Sequence, residues 1–247
     1  MCERIPDAPR SPKGGRPPAP KRQMLQGIFW ILDNGAKWKD LPREFGAKST
    51  VHDWFLRWAQ AGVFDRLMRE AGHCVAEHDG FKLYECFVDA TFSKARQGGD
   101  GIGTTKLGRG VKIMLLVDAA GLPVAAYTTS AGPHESRLVQ GLFDFMASTA
   151  TPQRIVGDKA YDSDALDAAL AERDIELIAP HRVNRTRPPT QDGRPLRRFK
   201  RRWTVERSIS WLQNFRRLCI RWEKTAYLFQ AMLHFSCSLL LLKAVFG

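Results

Sequence analysis

Residues 111–117 read Val-Lys-Ile-Met-Leu-Leu-Val, a run of branched and apolar residues that predicts a β-strand. The turn formers Asp118-Ala119-Ala120-Gly121 follow this run, and residues 123–130 predict a second strand that returns beside it. Residues 83–88 are also rich in β-forming side chains. The middle of the chain therefore predicts a β-meander.

Downstream of the meander, the pattern alternates between helices and strands. The predicted elements are a helix at 138–146, a strand at 154–157, a helix at 164–173 and a strand at 175–179. This alternation predicts a mixed α/β fold. Residues 182–202 have no apolar periodicity and include three prolines, which predicts a loop or insertion before a helix resumes at Thr204.

Upstream of the meander, the chain predicts a basic arm followed by a small helical unit. Residues 1–20 carry proline and glycine at the density of turns and predict an extended arm. We expect Thr50 to cap a helix that resembles a helix-turn-helix and carries Arg57 on its polar side. The apolar stripe of this helix is Val51, Trp54, Phe55 and Trp58. We predict an N-terminal DNA-binding domain at 1–78 and a second domain at 79–247.

The charge of the chain points to a polyanionic partner. The protein has 247 residues and a formal net charge of +12. Residues 181–222 contain 13 Lys and Arg against two acidic residues, and aromatic side chains lie among these bases. Cations that hold phosphates beside rings that stack on bases are typical of nucleic-acid-binding segments. The alternative is a solvated charged surface.

Several classes of protein are disfavoured by the sequence. The five cysteines are scattered and form no Cys-x-x-Cys pair, so neither a disulfide framework nor a zinc knuckle is predicted, and a reducing cytoplasm suits them. The N-terminal residues have no apolar stretch typical of a secretory signal. Polar residues interrupt the apolar segment 228–246, which predicts a buried core helix and no membrane partner.

Three carboxylates occupy positions suited to catalysis. Asp89 and Asp158 each end an apolar strand, where an α/β sheet presents ligands to a cleft. Glu206 is the one acid in an otherwise basic helix, where it is tolerable mainly if a cation neutralises it. Phosphodiester cleavage is served by two Mg²⁺ ions held by carboxylates. Alternatively, each aspartate is only a turn former or helix cap, and Glu206 pairs with Arg202 or Arg207.

The sequence resembles a known family at several of these positions. The segments Val88-Asp89-Ala90-Thr91, Gly157-Asp158-Lys159-Ala160-Tyr161-Asp162-Ser163-Asp164 and the helix 203–218 are similar to those of bacterial insertion-sequence transposases of the DDE type, in insertion sequence family 5. The segment Trp38-Lys39-Asp40-Leu41-Pro42 is similar to that family's helical N-terminal domain. The resemblance implies an RNase H-like catalytic core preceded by a helix-turn-helix-like domain. It also implies that Asp89, Asp158 and Glu206 form the catalytic, metal-binding triad.

The chain departs from the related family signature Tyr-(2)-Arg-(3)-Glu-(6)-Lys/Arg at two positions. Arg202 and Glu206 match the signature, but Phe199 stands where tyrosine is expected and Gln213 where the final base is expected. These departures weaken a catalytic role for Phe199 or Gln213 and leave Arg202 as the better candidate to support the catalytic acids.

The resemblance implies the reaction and its partners. These are cleavage at transposon ends, strand transfer into target double-stranded DNA, two Mg²⁺ ions for which Mn²⁺ substitutes, and a homodimer, because two ends must be brought together. The candidate DNA-binding residues are Arg57, Lys112, Lys159, Arg197, Arg198, Lys200, Arg201, Arg207, Arg216 and Arg217. Two alternatives are a non-catalytic DNA-binding product of a degenerate element and an RNase H-like nuclease without strand transfer.

Among lesser candidates, we expect Asp118 to form a turn, Asp162 and Asp164 to cap a helix, and His134 and Glu135 to cap or line a loop.

Overall fold

A computed structural model describes residue 5, residues 19–191 and residues 193–247. Most of the predicted arm at 1–20 lies outside these residues. The helical unit consists of α1 (Lys21–Asn34), α2 (Lys48–Gln60) and α3 (Val63–His78). Gly35 ends α1 with a φ of 64°, a left-handed conformation that glycine adopts without strain, and its N–H donates to the Ile31 carbonyl.

Helix α2 differs from the prediction at its start. It begins at Lys48, so Thr50 lies inside the first turn, and no side chain caps the helix. The predicted capping role of Thr50 is therefore wrong, because the helix extends two residues further towards the N-terminus. The predicted apolar stripe is confirmed, since Val51, Trp54, Phe55 and Trp58 are all buried.

In the part of the chain that the structure describes, seven strands form one mixed sheet. They are β1 (Cys86–Ala95), β2 (Gly103–Thr105), β3 (Gly108–Val117), β4 (Pro123–Ser130), β5 (Arg154–Val156), β6 (Glu176–Ile178) and β7 (Ile220–Arg221). The five main strands lie in the order β4-β3-β1-β5-β6, while β2 pairs with β3 and β7 with β1. Strands β1, β3 and β4 are antiparallel neighbours, and β5 and β6 run parallel to β1. This mixed sheet flanked by helices confirms the predicted RNase H-like core and the predicted meander.

Strand β1 is longer than its apolar residues indicate. It continues through Thr91, Ser93 and Lys94 to Ala95, and it stays paired with β3 up to Lys94. Asp89 therefore lies within β1, and the prediction that it ends the strand is wrong. Backbone pairing with β3 sustains the strand where the side chains become polar.

The helical elements of the second half are mostly short. They are α4 (Asp164–Ala171), α5 (Gly193–Leu196), α6 (Trp203–Gln213), α7 (Arg216–Cys219), α8 (Ala226–Phe246) and 3₁₀ helices that include Glu135–Arg137, Val139–Phe145, Lys159–Tyr161 and Arg197–Arg202. The predicted loop at 182–202 is wrong in its second part, because the chain is helical from Gly193 onward. The lack of apolar periodicity there reflects ion pairing rather than a lack of helix.

The two faces of the sheet cover two hydrophobic clusters. Ile113 and Leu115 of β3 belong to the cluster that includes α1, α2, α3 and α8. Met114 and Leu116 belong to the cluster on the opposite face, beneath α4. Alternate side chains of one strand therefore serve both clusters, and the N-terminal helices share their core with the sheet.

Helix α8 connects these parts of the molecule. It packs against α3, β4 and α2, and the rings of Phe64 and Phe235 lie 5.4 Å apart. Gln230 Oε1 accepts a hydrogen bond from the Thr128 backbone N–H of β4. By its length and composition, α8 is the one helix in the described part of the chain that could cross a membrane. More than half of its most apolar stretch is buried inside the protein.

Candidate active site

The pairing of β1 with β5 places the two candidate aspartates at the same level of the sheet. These strands are parallel, and Phe87 lies opposite Val156. Asp89 and Asp158 each follow two residues after this pair. The burial of Phe87 and Val156 in the core fixes this part of both strands, so the two carboxylates are presented from a rigid base.

Arg202 joins the third acid to the first. Its Nη1 atom donates to Asp89 Oδ2 at 2.7 Å, and its Nη2 atom donates to Glu206 Oε1 at 2.5 Å. Arg202 lies one helical turn before Glu206, so its side chain runs along the same face of the helix. The guanidinium of Arg202 therefore holds a carboxylate of the sheet and a carboxylate of α6 close to each other.

Asp89 has an unusual electrostatic environment. Burial raises the pKa of Asp89 to about 6, and the charges of Asp158 and Glu135 act in the same direction, against the Ala90 N–H and Arg202, which lower it. The Ala90 backbone N–H donates to Asp89 Oδ1 at 2.8 Å. The charges of Asp158 and Glu135 beside Asp89 give this region a negative potential, which favours a bound cation.

Asp158 is oriented by the turn that follows it. Its Oδ1 atom accepts a hydrogen bond from the Ala160 backbone N–H at 2.7 Å and caps the 3₁₀ helix Lys159–Tyr161. The predicted cap is therefore present, and it leaves Asp158 Oδ2 without a hydrogen bond from the described residues. The ring of Tyr161 packs against Gly157, where a Cβ atom would lie 2.7 Å from it.

Two further groups lie near the aspartates. Glu135 pairs with Lys112 at 3.4 Å between Oε1 and Nζ, and its charge acts on both Asp89 and Tyr161. The Tyr161 hydroxyl is buried and has no hydrogen-bond partner among the described residues. The sequence pattern indicates neither group, because Glu135 follows no motif and Tyr161 is only part of the quoted family segment.

The donor set fits a hard divalent cation in its chemistry. Asp89, Asp158, Glu206 and Glu135 supply carboxylate oxygens, the ligands that Mg²⁺ prefers. Within the described ranges, no group of three or more His, Cys, Asp or Glu side chains is close enough together to hold a metal ion. Arg202 supplies the positive charge between Asp89 and Glu206 in this arrangement.

The two positions that depart from the family signature have structural contacts. The guanidinium of Arg202 lies 5.6 Å from the centre of the Phe199 ring, which supports it through a cation–π contact. Gln213 Nε2 donates to Thr91 Oγ1 at 3.1 Å and ties α6 to β1. Both residues help to hold the helix that carries Glu206 against the sheet.

The candidate DNA-binding residues fall into three groups. Five of them are exposed with no ion pair to a described residue: Arg57, Lys159, Arg197, Lys200 and Arg216. Four are partly occupied within the protein: Lys112 contacts Glu135 and the Pro133 carbonyl, Arg198 and Arg201 pair with the buried Glu85, and Arg207 stacks between Trp203 and Trp211. The remaining candidate is Arg217.

The structure places Arg217 differently from the sequence-based prediction. Its side chain is only 3% exposed, and its guanidinium bonds to Glu223 and to the Ala36 carbonyl. The predicted DNA contact by Arg217 is wrong in this structure, because a buried and paired guanidinium presents no donor to a phosphate. Arg217 instead joins α7 to the end of α1.

The structure also shows the contacts of the acidic and histidine residues that the sequence assigns to turns and helix caps. Asp118 accepts hydrogen bonds from the N–H groups of Lys82, Ala120 and Leu122, which confirms its role in the turn. His134 caps the 3₁₀ helix Glu135–Arg137 through the Ser136 N–H. Asp162 and Asp164 pair with arginines and make no side-chain cap of α4, so that prediction is wrong.

Two family models together match most of this chain. Residues 80–241 match the family described as "Transposase DDE domain", and residues 1–68 match "Putative transposase of IS4/5 family (DUF4096)". The chain belongs to the DDE transposase family. This family consists of nucleic-acid-cleaving enzymes that depend on a divalent metal ion.

Relatives of this transposase are found among insertion elements. It is 33% identical over 139 residues to "Putative transposase for insertion sequence element IS402" of Burkholderia cepacia, which covers 53% of this chain and 62% of that protein. It is 32% identical over 138 residues to "Putative transposase for insertion sequence element IS6501" of Brucella ovis, covering 53% of this chain and 98% of that one. The transposase thus spans less than two thirds of the IS402 relative.

Solved structures of transposases are similar to this chain in parts. The piggyBac transposase synaptic complex with hairpin DNA has a TM-score of 0.45 at 12% identity, covering 66% of this chain and 47% of that one. The Mos1 strand transfer complex has a TM-score of 0.29 at 9% identity, covering 86% and 80%. At these values the family assignment rests on the sequence matches.

Proposed function

We propose that this transposase cleaves DNA strands at the ends of an insertion sequence and joins the freed ends to target DNA. The observation that supports this proposal is the meeting of Asp89, on the sheet, with Glu206, on α6, at the guanidinium of Arg202. Asp158 follows the neighbouring strand β5 and lies at the level of Asp89. Family membership supplies the class of reaction.

The residues of this site have distinct roles in the proposal. Asp89, Asp158 and Glu206 would hold two Mg²⁺ ions, for which Mn²⁺ substitutes. The bound pair would supply activation of the attacking oxygen and stabilisation of the leaving oxygen. Arg202 holds Asp89 and Glu206 in register until the site is loaded, and the hydrogen bond from Ala160 orients Asp158.

Cleavage and joining are the same displacement with different nucleophiles. In cleavage, a water oxygen bonds to phosphorus while the bond from phosphorus to the 3′-oxygen breaks, and the 3′-oxygen takes a proton. In joining, that 3′-hydroxyl is the nucleophile and a strand of the target supplies the leaving oxygen. Because two ends must be joined, we propose a homodimer that acts on DNA in the bacterial cytoplasm.

The proposal is tested by neutralising each acid without changing its size. We expect Asp89→Asn, Asp158→Asn and Glu206→Gln each to abolish cleavage of DNA that carries the ends of the element, in the presence of Mg²⁺. DNA binding should be largely retained, because each change leaves the exposed lysine and arginine side chains in place. Asp79→Asn is the control, since Asp79 is exposed and pairs only with Lys82 among the described residues.

The products distinguish the alternatives. Joined DNA supports the proposal, whereas cut DNA without joining favours a nuclease, and bound but uncut DNA favours a non-catalytic binding protein. If one of the three variants retained near-normal cleavage, that residue would be removed from the triad. The mass of the protein–DNA complex in solution tests the homodimer.

A further inference from the structure

A cavity rich in arginine lies beside the turn that holds Asp158. It has a volume of about 880 Å³ and lies between the 3₁₀ helix Glu135–Arg137, the start of α4 and the loop at 182–187. The basic residues that line it are His134, Arg137, Arg182, Arg185 and Arg187. Arg182, Arg185 and Arg187 lie in the basic segment 181–222, whereas the charge pattern of the sequence does not indicate His134 or Arg137.

Two carboxylates hold part of the arginine lining in place. Arg185 pairs with Asp162 at 2.8 Å and with Asp164 at 2.7 Å, and Arg187 pairs with Asp164 at 2.5 Å. With four arginines against these two acids, the lining keeps an excess of positive charge. The ion pairs fix the loop at 182–187 against α4, so the cavity is formed before any ligand arrives.

Other donors in the lining have no protein acceptor. The Arg137 side chain makes no hydrogen bond or ion pair with any residue that the structure describes, although it lines the cavity. Gln140 Nε2 is buried and is likewise without a partner among the described residues. A buried donor without an acceptor carries a free-energy cost that a ligand rich in acceptors relieves. Phosphate oxygens are such acceptors, and guanidinium groups bind them in a forked geometry.

The cavity shares a wall with the candidate active site. Arg182 Nε donates to the Lys159 carbonyl at 3.0 Å, and Arg182 Nη2 donates to the Ala160 carbonyl at 3.0 Å. Lys159 and Ala160 directly follow Asp158 and form the turn that orients it. A strand whose phosphate lies at Asp158 therefore has its neighbouring phosphates near the cavity.

We propose that this arginine-lined cavity binds backbone phosphates of the DNA strand next to the phosphate that reacts. This inference rests on the proposed function and adds to it a second phosphate contact, independent of the basic segment 197–202. The charged groups of the lining are four arginines and two aspartates paired with them, so the contact that the cavity offers is to backbone phosphates and is independent of sequence.

The test measures the salt dependence of DNA binding by the full-length protein. The variants are Arg137→Ala, Arg187→Ala and the double variant. The Arg137 side chain has no partner among the described residues. The Arg187 side chain is 72% exposed, and Arg185 keeps the ion pairs that hold the loop, so we expect both variants to fold. Arg173→Ala is the matched control, because Arg173 lies beyond the opposite end of α4 and packs over Phe143. The probe is duplex DNA of random sequence, and the dissociation constant is measured over a range of NaCl concentrations.

We expect the double variant to bind more weakly and to flatten the plot of log affinity against log salt by about 0.9 unit for each phosphate that it no longer neutralises. Arg173→Ala should keep the wild-type slope. An unchanged slope in the double variant, with wild-type protein showing a steep one, would overturn the cavity as a DNA site. Failure of wild-type protein to bind DNA at all would instead overturn the proposed function.

A second arm distinguishes DNA from free phosphate compounds. Deoxyadenosine monophosphate and inorganic phosphate are titrated into wild-type protein and into Arg137→Ala by calorimetry. Saturable binding that Arg137→Ala abolishes, together with an unchanged slope for DNA, would assign the cavity to a free nucleotide or phosphate and overturn the proposal. Weak or absent binding of both compounds, with a flattened slope for DNA, supports it.

Discussion

The hydroxyl groups of two tyrosines, Tyr127 and Tyr161, have different surroundings. The Tyr127 hydroxyl donates to the Leu138 carbonyl at 2.5 Å, whereas the Tyr161 hydroxyl has no partner among the described residues. We expect Tyr127→Phe to lower the free energy of unfolding by about 1 kcal/mol, because it removes one of the two hydrogen bonds that the Leu138 carbonyl accepts and leaves only the one from the Gly141 N–H. Tyr161→Phe should be neutral or stabilising, because it removes an unsatisfied buried group. Urea unfolding of both variants measures this difference, and equal losses would contradict it.

Asp162 makes part of the stability depend on pH. Burial acts to raise its pKa, but the Arg182 N–H, His181 and Arg185 outweigh burial and lower it below 3.8. A carboxyl whose pKa is lowered by folding stabilises the protein above its unfolded pKa, and this contribution is lost as the pH falls through the folded pKa. We therefore expect Asp162→Asn to destabilise the protein at neutral pH and less so below about pH 4. Thermal unfolding at a series of pH values checks this, and a constant difference between variant and wild type would contradict it.

At the scale of elements, an ion-pair cluster fixes the 3₁₀ helix Arg197–Arg202 to the start of β1. Glu85 is fully buried, and its carboxylate pairs with Arg198 at 2.7 Å and with Arg201 at 2.5 Å. This helix leads directly into α6, so the cluster positions both Arg202 and Glu206. The two arginines therefore have a structural role whether or not they also contact DNA.

A double variant tests this role. We expect Arg198→Ala with Arg201→Ala to lower the free energy of unfolding by about 3 kcal/mol, because it leaves a buried charge without a partner. Adding Glu85→Gln should recover most of the loss, since the unpaired charge is then removed. Urea unfolding measures both variants. A triple variant no more stable than the double one would show that these arginines contribute through other contacts.

At the scale of the whole molecule, the N-terminal helices do not have a core of their own. Phe64, Leu67 and Met68 of α3 are buried in the same cluster as Met232 and Phe235 of α8. We therefore expect a fragment of residues 1–78 to lack cooperative unfolding, although it retains some helix. Circular dichroism on heating checks this, with the full-length protein as control. A sharp unfolding transition in the isolated fragment would contradict the shared core and would favour the predicted domain at 1–78.

The fold and the candidate triad follow from local patterns, and the remaining features do not. The meander and the position of Asp158 are predictable because apolar runs and the turns after them are local. The true end of β1 is not, because pairing with β3 sustains residues such as Ser93 and Lys94. The burial of Arg217 depends on Glu223, which lies six residues further along the chain, beyond β7.

The arginine-lined cavity shows the same limit on prediction. His134 and Arg182 come together across 48 positions of the sequence, and no motif links them. Only the fold brings the loop at 182–187 against the start of α4. The charge pattern indicates the arginines of 182–187, but only the structure shows that they line one cavity with His134 and Arg137.

The place of α8 in the core has a consequence for how the protein is made. A ribosome synthesises α1, α2 and α3 first, yet the helix that completes their packing is α8 (Ala226–Phe246). Chains fold from the N-terminus during synthesis only where an early segment is complete in itself. Because α8 completes the packing of these early helices, we expect a chain that lacks α8 to leave α1, α2 and α3 without their full core.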